Sequence, residues 1–146
     1  MAITSAICNS FKQEILEAEH NFTASSGNTF NLALYDSSAD LSKSTTAYTT
    51  SEEITNTSGS AYSAKGNALT SVTPVLDSDT AVCDFANTSW TSASFTARGC
   101  LIFNDSHASD ASVCAIDFGG DKTVTSGTFT VEFPAAAAST AIIQIA

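Results

Sequence analysis

The amino-acid sequence predicts a mainly β fold: a single antiparallel β-sandwich or jelly-roll-like domain with an N-terminal α-helix. Three observations carry this prediction. From Phe30 onward, apolar residues alternate with Ser and Thr in run after run. In FTVEFP, for example, Phe129, Val131 and Phe133 point one way and Thr130 and Glu132 the other. A period of two marks a strand with one buried and one wet face. Ser and Thr fill roughly a quarter or more of the chain, above ordinary usage, as when Thr covers exposed strand faces and Ser fills turns. About eight such runs follow one another, separated by clusters of Gly, Asn, Asp and Ser, which is the spacing of a sandwich.

The first element, in residues 1–20, reads as a helix. Thr4 or Ser5 is placed to cap it, and Ile7, Phe11 and Ile15 recur every four residues, with Cys8 and Leu16 widening the stripe. Glu14, Glu17 and Glu19 fall on its later turns, where carboxylates do not complement the negative end of the dipole. The helix is therefore expected to lean on the β domain or on a neighbouring subunit. NFTASSGN (21–28) ends it and opens the β domain, residues 21–146.

TFNLALY is the first long strand, with Phe30, Leu32 and Leu34 on one face. Residues 36–56 are polar and read as a long excursion holding Tyr48. Gly59 and Gly66 mark turns. Residues 68–76 read as one strand, with Pro74 placing it at an edge or bulge. LDSD (76–79) is a turn, and TAVCDFA follows with Ala81, Cys83 and Phe85 on one face. NTSW leads into SFTARGCLIF, where Gly99 marks a bulge or a close approach. NDSHASDA is a loop. SVCAIDF and GTFTVEF are strands separated by GGDKTVTSG, and TAIIQIA closes the chain as a last strand after Pro134 and an Ala-rich linker.

The 146 residues suit one domain whose folded form exposes on the order of 7,000 Å² and needs neither metal nor disulfide for its core. The net charge is −10, with only 14% charged residues. Such a surface repels phosphates, so nucleic acid is not an expected partner. No apolar run approaches the roughly 20 residues that span a bilayer, so no membrane partner is expected either. The N-terminus lacks a basic region and a continuous apolar core, so the reading is a protein made in a reducing cytoplasm. The sequons at Asn21, Asn56, Asn87 and Asn104 then follow from Ser/Thr richness alone. Cys8, Cys83, Cys100 and Cys114 form no C-x-x-C pair and read as buried free thiols, although spacing alone leaves a disulfide between strands open.

No catalytic constellation emerges, and the chain is read as no enzyme, without cofactor or metal. His20 sits at the helix end and His107 in a polar loop, and no G-x-S-x-G elbow accompanies them. GGDKT (119–123) lacks the spacing of a phosphate loop and reads as a tight turn. Asp77 with Asp79, and Asp105 with Asp110, are oxygen-rich turns of the kind hard cations use, but also ordinary turn formers. Arg98, the only arginine, is expected to pair with a carboxylate as a structural or subunit contact. Trp90 is a candidate anchor for an interface or ligand, with core packing the alternative.

MAITSAICNSFKQEIL, FNLALYDSSADLSKSTTAYTT, TARGCLIFNDS, DFGGDKTVTSGTFTVEFP and AIIQIA together resemble a family of small virion structural proteins of tailed phages of aquatic bacteria. The resemblance runs over nearly the whole chain, and its motifs are fold-forming rather than chemical. It implies a capsid decoration (cement) protein on the exterior of the virion, made in the host cytoplasm. Its partner would be the major capsid protein, and it would act as a homo-oligomer. It carries over no catalytic residue. Bottom-up, the expected interface is the helix stripe Ile7, Phe11 and Ile15, joined by Arg98 and Trp90. The alternative is a head-fibre or tail-associated β-sandwich that recognises a host surface glycan through exposed aromatics, with Tyr48, Tyr62 and Trp90 as candidates.

Overall fold

Two antiparallel sheets face each other across an apolar core in the computed structural model, which describes residues 2–54 and 61–146. Gly59 and the Asn56 sequon lie outside the described residues. Strands occupy 49% of the chain and helix 6%, so the protein is mainly β, as the alternation predicts. The chain order is β1 (Ala6–Ile7), α1 (Asn9–Leu16), β2 (Phe30–Tyr35), β3 (Asn67–Ala68), β4 (Ser71–Asp77), β5 (Thr80–Phe85), β6 (Thr88–Asn104), β7 (Ser112–Val131) and β8 (Ile143–Ile145). The larger sheet runs β1-β7-β6-β2-β3 and the smaller β4-β5-β8.

The inner face of the large sheet supplies Phe30, Leu32, Leu34, Phe95, Cys100 and Ile102 to the core, and the small sheet supplies Cys83, Phe85 and Ile143. The outer face of β2 is covered as well. The polar excursion folds back over it, so that Ala39 and Leu41 close a second apolar cluster on Ala33, Tyr35, Leu101 and Phe103. Every residue of β2 is buried for this reason. The bridges Ile3–Leu41, Tyr35–Glu53 and Ala47–Ala111 tie the excursion down without forming a further strand.

Several boundaries differ from the sequence reading. The helix is two turns, not the span 1–20, and Thr4 and Ser5 do not cap it. Cys8 is its N-cap, without a side-chain bond. Ser5 instead accepts a hydrogen bond from the Asp117 amide at 2.8 Å, and Ile7 stands in β1 beside Cys114. The apolar spacing of this segment fits a strand followed by a short helix equally well, and pairing with β7 decides. Residues 68–76 are divided between β3 and β4, in different sheets. Pro74 does lie in an edge strand, with a register shift between Val72 and Val75.

GGDKT is not a turn between strands. β7 continues through it with a shift of register: Asp117 stands opposite Gly99 and Lys122 opposite Ala97, so that residues 118–121 face Arg98 alone. Gly119, at φ 76°, absorbs the irregularity in a conformation that side chains disfavour. The LDSD turn forms as read: Asp77 pairs with Thr80, and Ser78 takes φ 55°. Gly99 makes the expected close approach, since a Cβ there would stand 2.4 Å from the Ile116 carbonyl oxygen.

Candidate functional site

The residues expected to form an interface are mostly spent inside the molecule. Phe11 is buried against His20 and Phe22, and Ile7 and Ile15 are half-buried against the same core. Trp90 is 2% exposed and packs near Tyr62 and Phe129, so the core alternative describes it and the anchor role does not. Tyr62 is fully buried, and Tyr48 is half-buried with its hydroxyl committed to Glu53. No exposed aromatic platform therefore exists at these three positions.

Arg98 pairs with carboxylates as predicted. Its Nε donates to Asp117 Oδ1 at 3.1 Å and a terminal nitrogen reaches Asp121 at 3.4 Å. The Gly119 amide, and then Arg98, hold the Asp117 carboxyl below its usual range. These groups are partly exposed, which keeps the pair weak.

The two acidic loops do not gather around a cation site. Asp105 and Asp110 converge on the Lys65 ammonium at 2.8 and 2.9 Å, and this raises the lysine pKa. Asp77 accepts from the Ala138 amide at 2.7 Å. Among the described residues, no group of three or more His, Cys, Asp or Glu is arranged to hold a metal.

His20 is not a solvated cap. Its side chain is enclosed, with Nε2 2.7 Å from Glu14 Oε2 and Nδ1 3.1 Å from the Asn104 amide. His107 Nδ1 accepts from the Ser109 amide and approaches its hydroxyl at 2.9 Å, while Nε2 lies 3.5 Å from Glu19. This Ser–His–Glu order arises from a three-residue loop turn, and none of the three described grooves is lined by any of these groups. The four cysteines are free and buried. Burial pushes the Cys83 and Cys100 thiols up to about 12, which suppresses the reactive thiolate.

What remains on the surface is apolar and concentrated. The exposed large hydrophobic residues among those described are Leu16, Val72, Val75, Leu76 and Ile145; four of these five belong to the edges of the small sheet. Register explains the grouping. Leu76 stands opposite Ala81, and Ala81 opposite Ile145, so the three share one row and one face. Ala81, Ile143 and Ile145 also line an apolar crevice with Phe11, Ile15 and Phe22. Leu76 is 74% exposed, Ile145 57% and Leu16 88%. The helix stripe reading placed Leu16 on the packed face; the two-turn helix instead turns it to solvent.

The sequence reading passed over Leu76 and Ile145. Leu76 carried a signal of position, since it precedes the polar tip DSD. A large apolar side chain at a hairpin tip has little core to enter.

A second concavity of about 420 Å³ is polar. Asp40, Ser42, Ser44, Thr45, Thr46 and Thr49 line it with Tyr48. Comparison of the chain with protein-family models, with curated proteins and with solved structures finds no match.

Proposed function

We propose that this protein is a virion structural component, a decoration or cement protein that binds the assembled head of a tailed phage and stabilises it. The observation that carries the reading is the apolar foot formed by Leu76, Ile145 and their neighbours, at one end of a chain of net charge −10. A soluble protein seldom keeps contiguous large apolar side chains in water unless they meet a partner. The rest of the surface, hydroxyl-rich and acidic, suits a protein carried at high copy number without aggregating. A ligand that binds only the assembled shell stabilises it by mass action.

The helix stripe first considered for docking is occupied by the protein's own core, so the proposed contact shifts to the small sheet. The test is the copy number relative to the major capsid protein in purified particles, with rebinding of variants to stripped shells. A simple lattice fraction is expected, and Leu76→Asp with Ile145→Asp should abolish rebinding while circular dichroism stays unchanged. Absence from particles, or undiminished rebinding by the double variant, would overturn the reading.

The second reading, a fibre- or tail-associated glycan binder, keeps one observation in its favour, the hydroxyl-lined groove around Tyr48. Binding to bacterial surface glycans that Tyr48→Ala removes would favour it.

A further inference from the structure

The sheet edges of this molecule are unequal. β1 and β3 are two residues each and β8 three, while β4 carries Pro74 and a register shift. β7 is different. On its outer side, β1 covers only Cys114 and Ala115. From Lys122 to Val131 it pairs with β6, and among the described residues no strand lies on its other side.

Natural sheets guard such edges with charge, proline or shortness. Thr123 to Val131 (TVTSGTFTV) contains no charge and no proline. Two register shifts interrupt it: Thr125 and Ser126 stand opposite the single Ser94, with Ser126 at φ 46°, and Thr128 stands opposite Thr91 and Ser92. Beside this edge runs a groove of about 540 Å³, lined by Ile116, Phe118, Phe129, Val131, Phe133 and Ile142. All six are only partly buried, packed on the core from one side.

The charges at the ends of the run give the occupant. Lys122 bounds it on one side and Glu132 on the other; both line the groove and both are exposed. Arg98 and Lys65 satisfy Asp117, Asp121, Asp105 and Asp110, but neither Lys122 nor Glu132 has an ion-pair partner among the described residues.

We propose that this edge binds a second copy of the chain, β7 against β7 in antiparallel alignment about a twofold axis near Ser126 and Gly127. Antiparallel self-pairing sets the Lys122 end of one run against the Glu132 end of the other, twice by symmetry. Each copy then supplies the charge that the other lacks. Such an interface is isologous and closes as a dimer. Main-chain bonds fall on either side of the irregular stretch 125–128, the two larger sheets join into one, and the two grooves meet across the seam. The inference does not rest on the capsid reading, because it concerns the isolated chain in solution.

The test is sedimentation equilibrium of the purified full-length chain at moderate salt. The wild type is expected to be a dimer at about 100 µM, and Lys122→Glu and Glu132→Lys should each weaken it by about tenfold or more. The double variant K122E/E132K should recover the dimer, because the swap restores complementarity. Both positions are exposed, so circular dichroism should match the wild type throughout. A monomeric wild type, a trimer, or a dimer indifferent to either single reversal would overturn the proposal. So would a dimer lost in Leu76→Asp but intact in the charge reversals, since the copies would then meet through the small sheet.

Discussion

The β6–β7 pair is built twice, under two different conditions. In residues 99–104 of β6 every position is buried, because the small sheet covers one face and the polar excursion the other. In residues 88–97 of the same strand burial is intermittent, with Trp90, Ala93, Phe95 and Ala97 inward, Thr91 and Thr96 exposed, Thr96 bonded to Thr123 and Ser94 accepting from the Ser126 amide. Both halves pair with β7, with two register shifts in the open half and one in the covered half. What differs is the number of covered faces, and that decides whether the strand reads as an apolar run or as an alternation. The covered half is a core. The open half, together with the small-sheet edges, is where unspent apolar surface remains.

The sharpest way to break this comparison is to remove one aromatic ring beside the covered half, in β2, and one from the open half. Phe30 is fully buried and stacks on Phe22 with centroids 4.2 Å apart. Phe30→Ala should cost about 4 kcal/mol, the range for a fully enclosed ring. Phe129 is only half-buried, although it touches Trp90, Phe95 and Phe118. Phe129→Ala should cost about 1–2 kcal/mol. Urea unfolding of the two variants measures both losses, and equal losses would mean that the open half is as tightly built as the covered one.

A smaller effect separates polar groups in the same way. Glu53 is buried, and its carboxylate accepts from Tyr62 at 2.6 Å and from the Lys65 amide at 2.7 Å, while Tyr48 donates to its other oxygen at 2.5 Å. Tyr62 in turn accepts from the Leu34 amide at 3.0 Å, so the network fastens the excursion to β2. Burial and the Glu53 hydrogen bond push the Tyr48 hydroxyl up to about 12. Glu53→Ala strands these donors and should cost about 2–3 kcal/mol. Arg98→Ala, at the boundary of the open half, removes two partly exposed ionic contacts and should leave the unfolding midpoint nearly unchanged, because water takes their place. An Arg98 effect as large as that of Glu53 would erase the distinction.

The same contrast explains what was legible in the sequence. Phe129, Val131 and Phe133 sit on a half-covered strand, and their alternation with Thr130 and Glu132 was plain. The order of strands in the large sheet was not, since β2 pairs with β6 some seventy residues away and no local pattern encodes that. GGDKT looked like a turn because glycine serves both turns and bulges, and only pairing with β6 tells them apart. The Arg98 pairing was legible because one arginine among many carboxylates must find one. Trp90 and Tyr62 stood as candidates for an exposed site, Trp90 with core packing as its alternative, because aromatic residues amid Ser and Asn look like loop tips. Their rings fill the space between β6 and the core, and composition cannot report depth. Glu53 gave no signal, because a buried glutamate looks like any other until its three donors are seen.

Asp84 is the exception in the covered region, and it gives the smallest of the three effects. It lies in β5 with Val82 and is almost fully buried, although the alternation of TAVCDFA puts both on the wet face. The chain just before β8 reaches that face at Ile142, whose amide bonds the carboxylate. One carboxylate oxygen accepts from the Phe85 amide at 2.8 Å, while Oδ2 is enclosed without a well-formed hydrogen bond. Burial raises the carboxyl pKa above its ordinary 3.8, and the Phe85 and Ile142 amides pull it back only in part. The folded chain therefore keeps this proton to higher pH than the unfolded chain. The stability associated with the group is intact below the ordinary value and is lost as pH rises through the folded one. At neutral pH the buried charge works against the fold. Asp84→Asn, which retains an oxygen to accept from Phe85, should raise the thermal midpoint at pH 7 and change it little near pH 3.5. A midpoint that falls at pH 7 would mean that the charge is favourably solvated within the fold, and the covered half would then tolerate ions as the open half does.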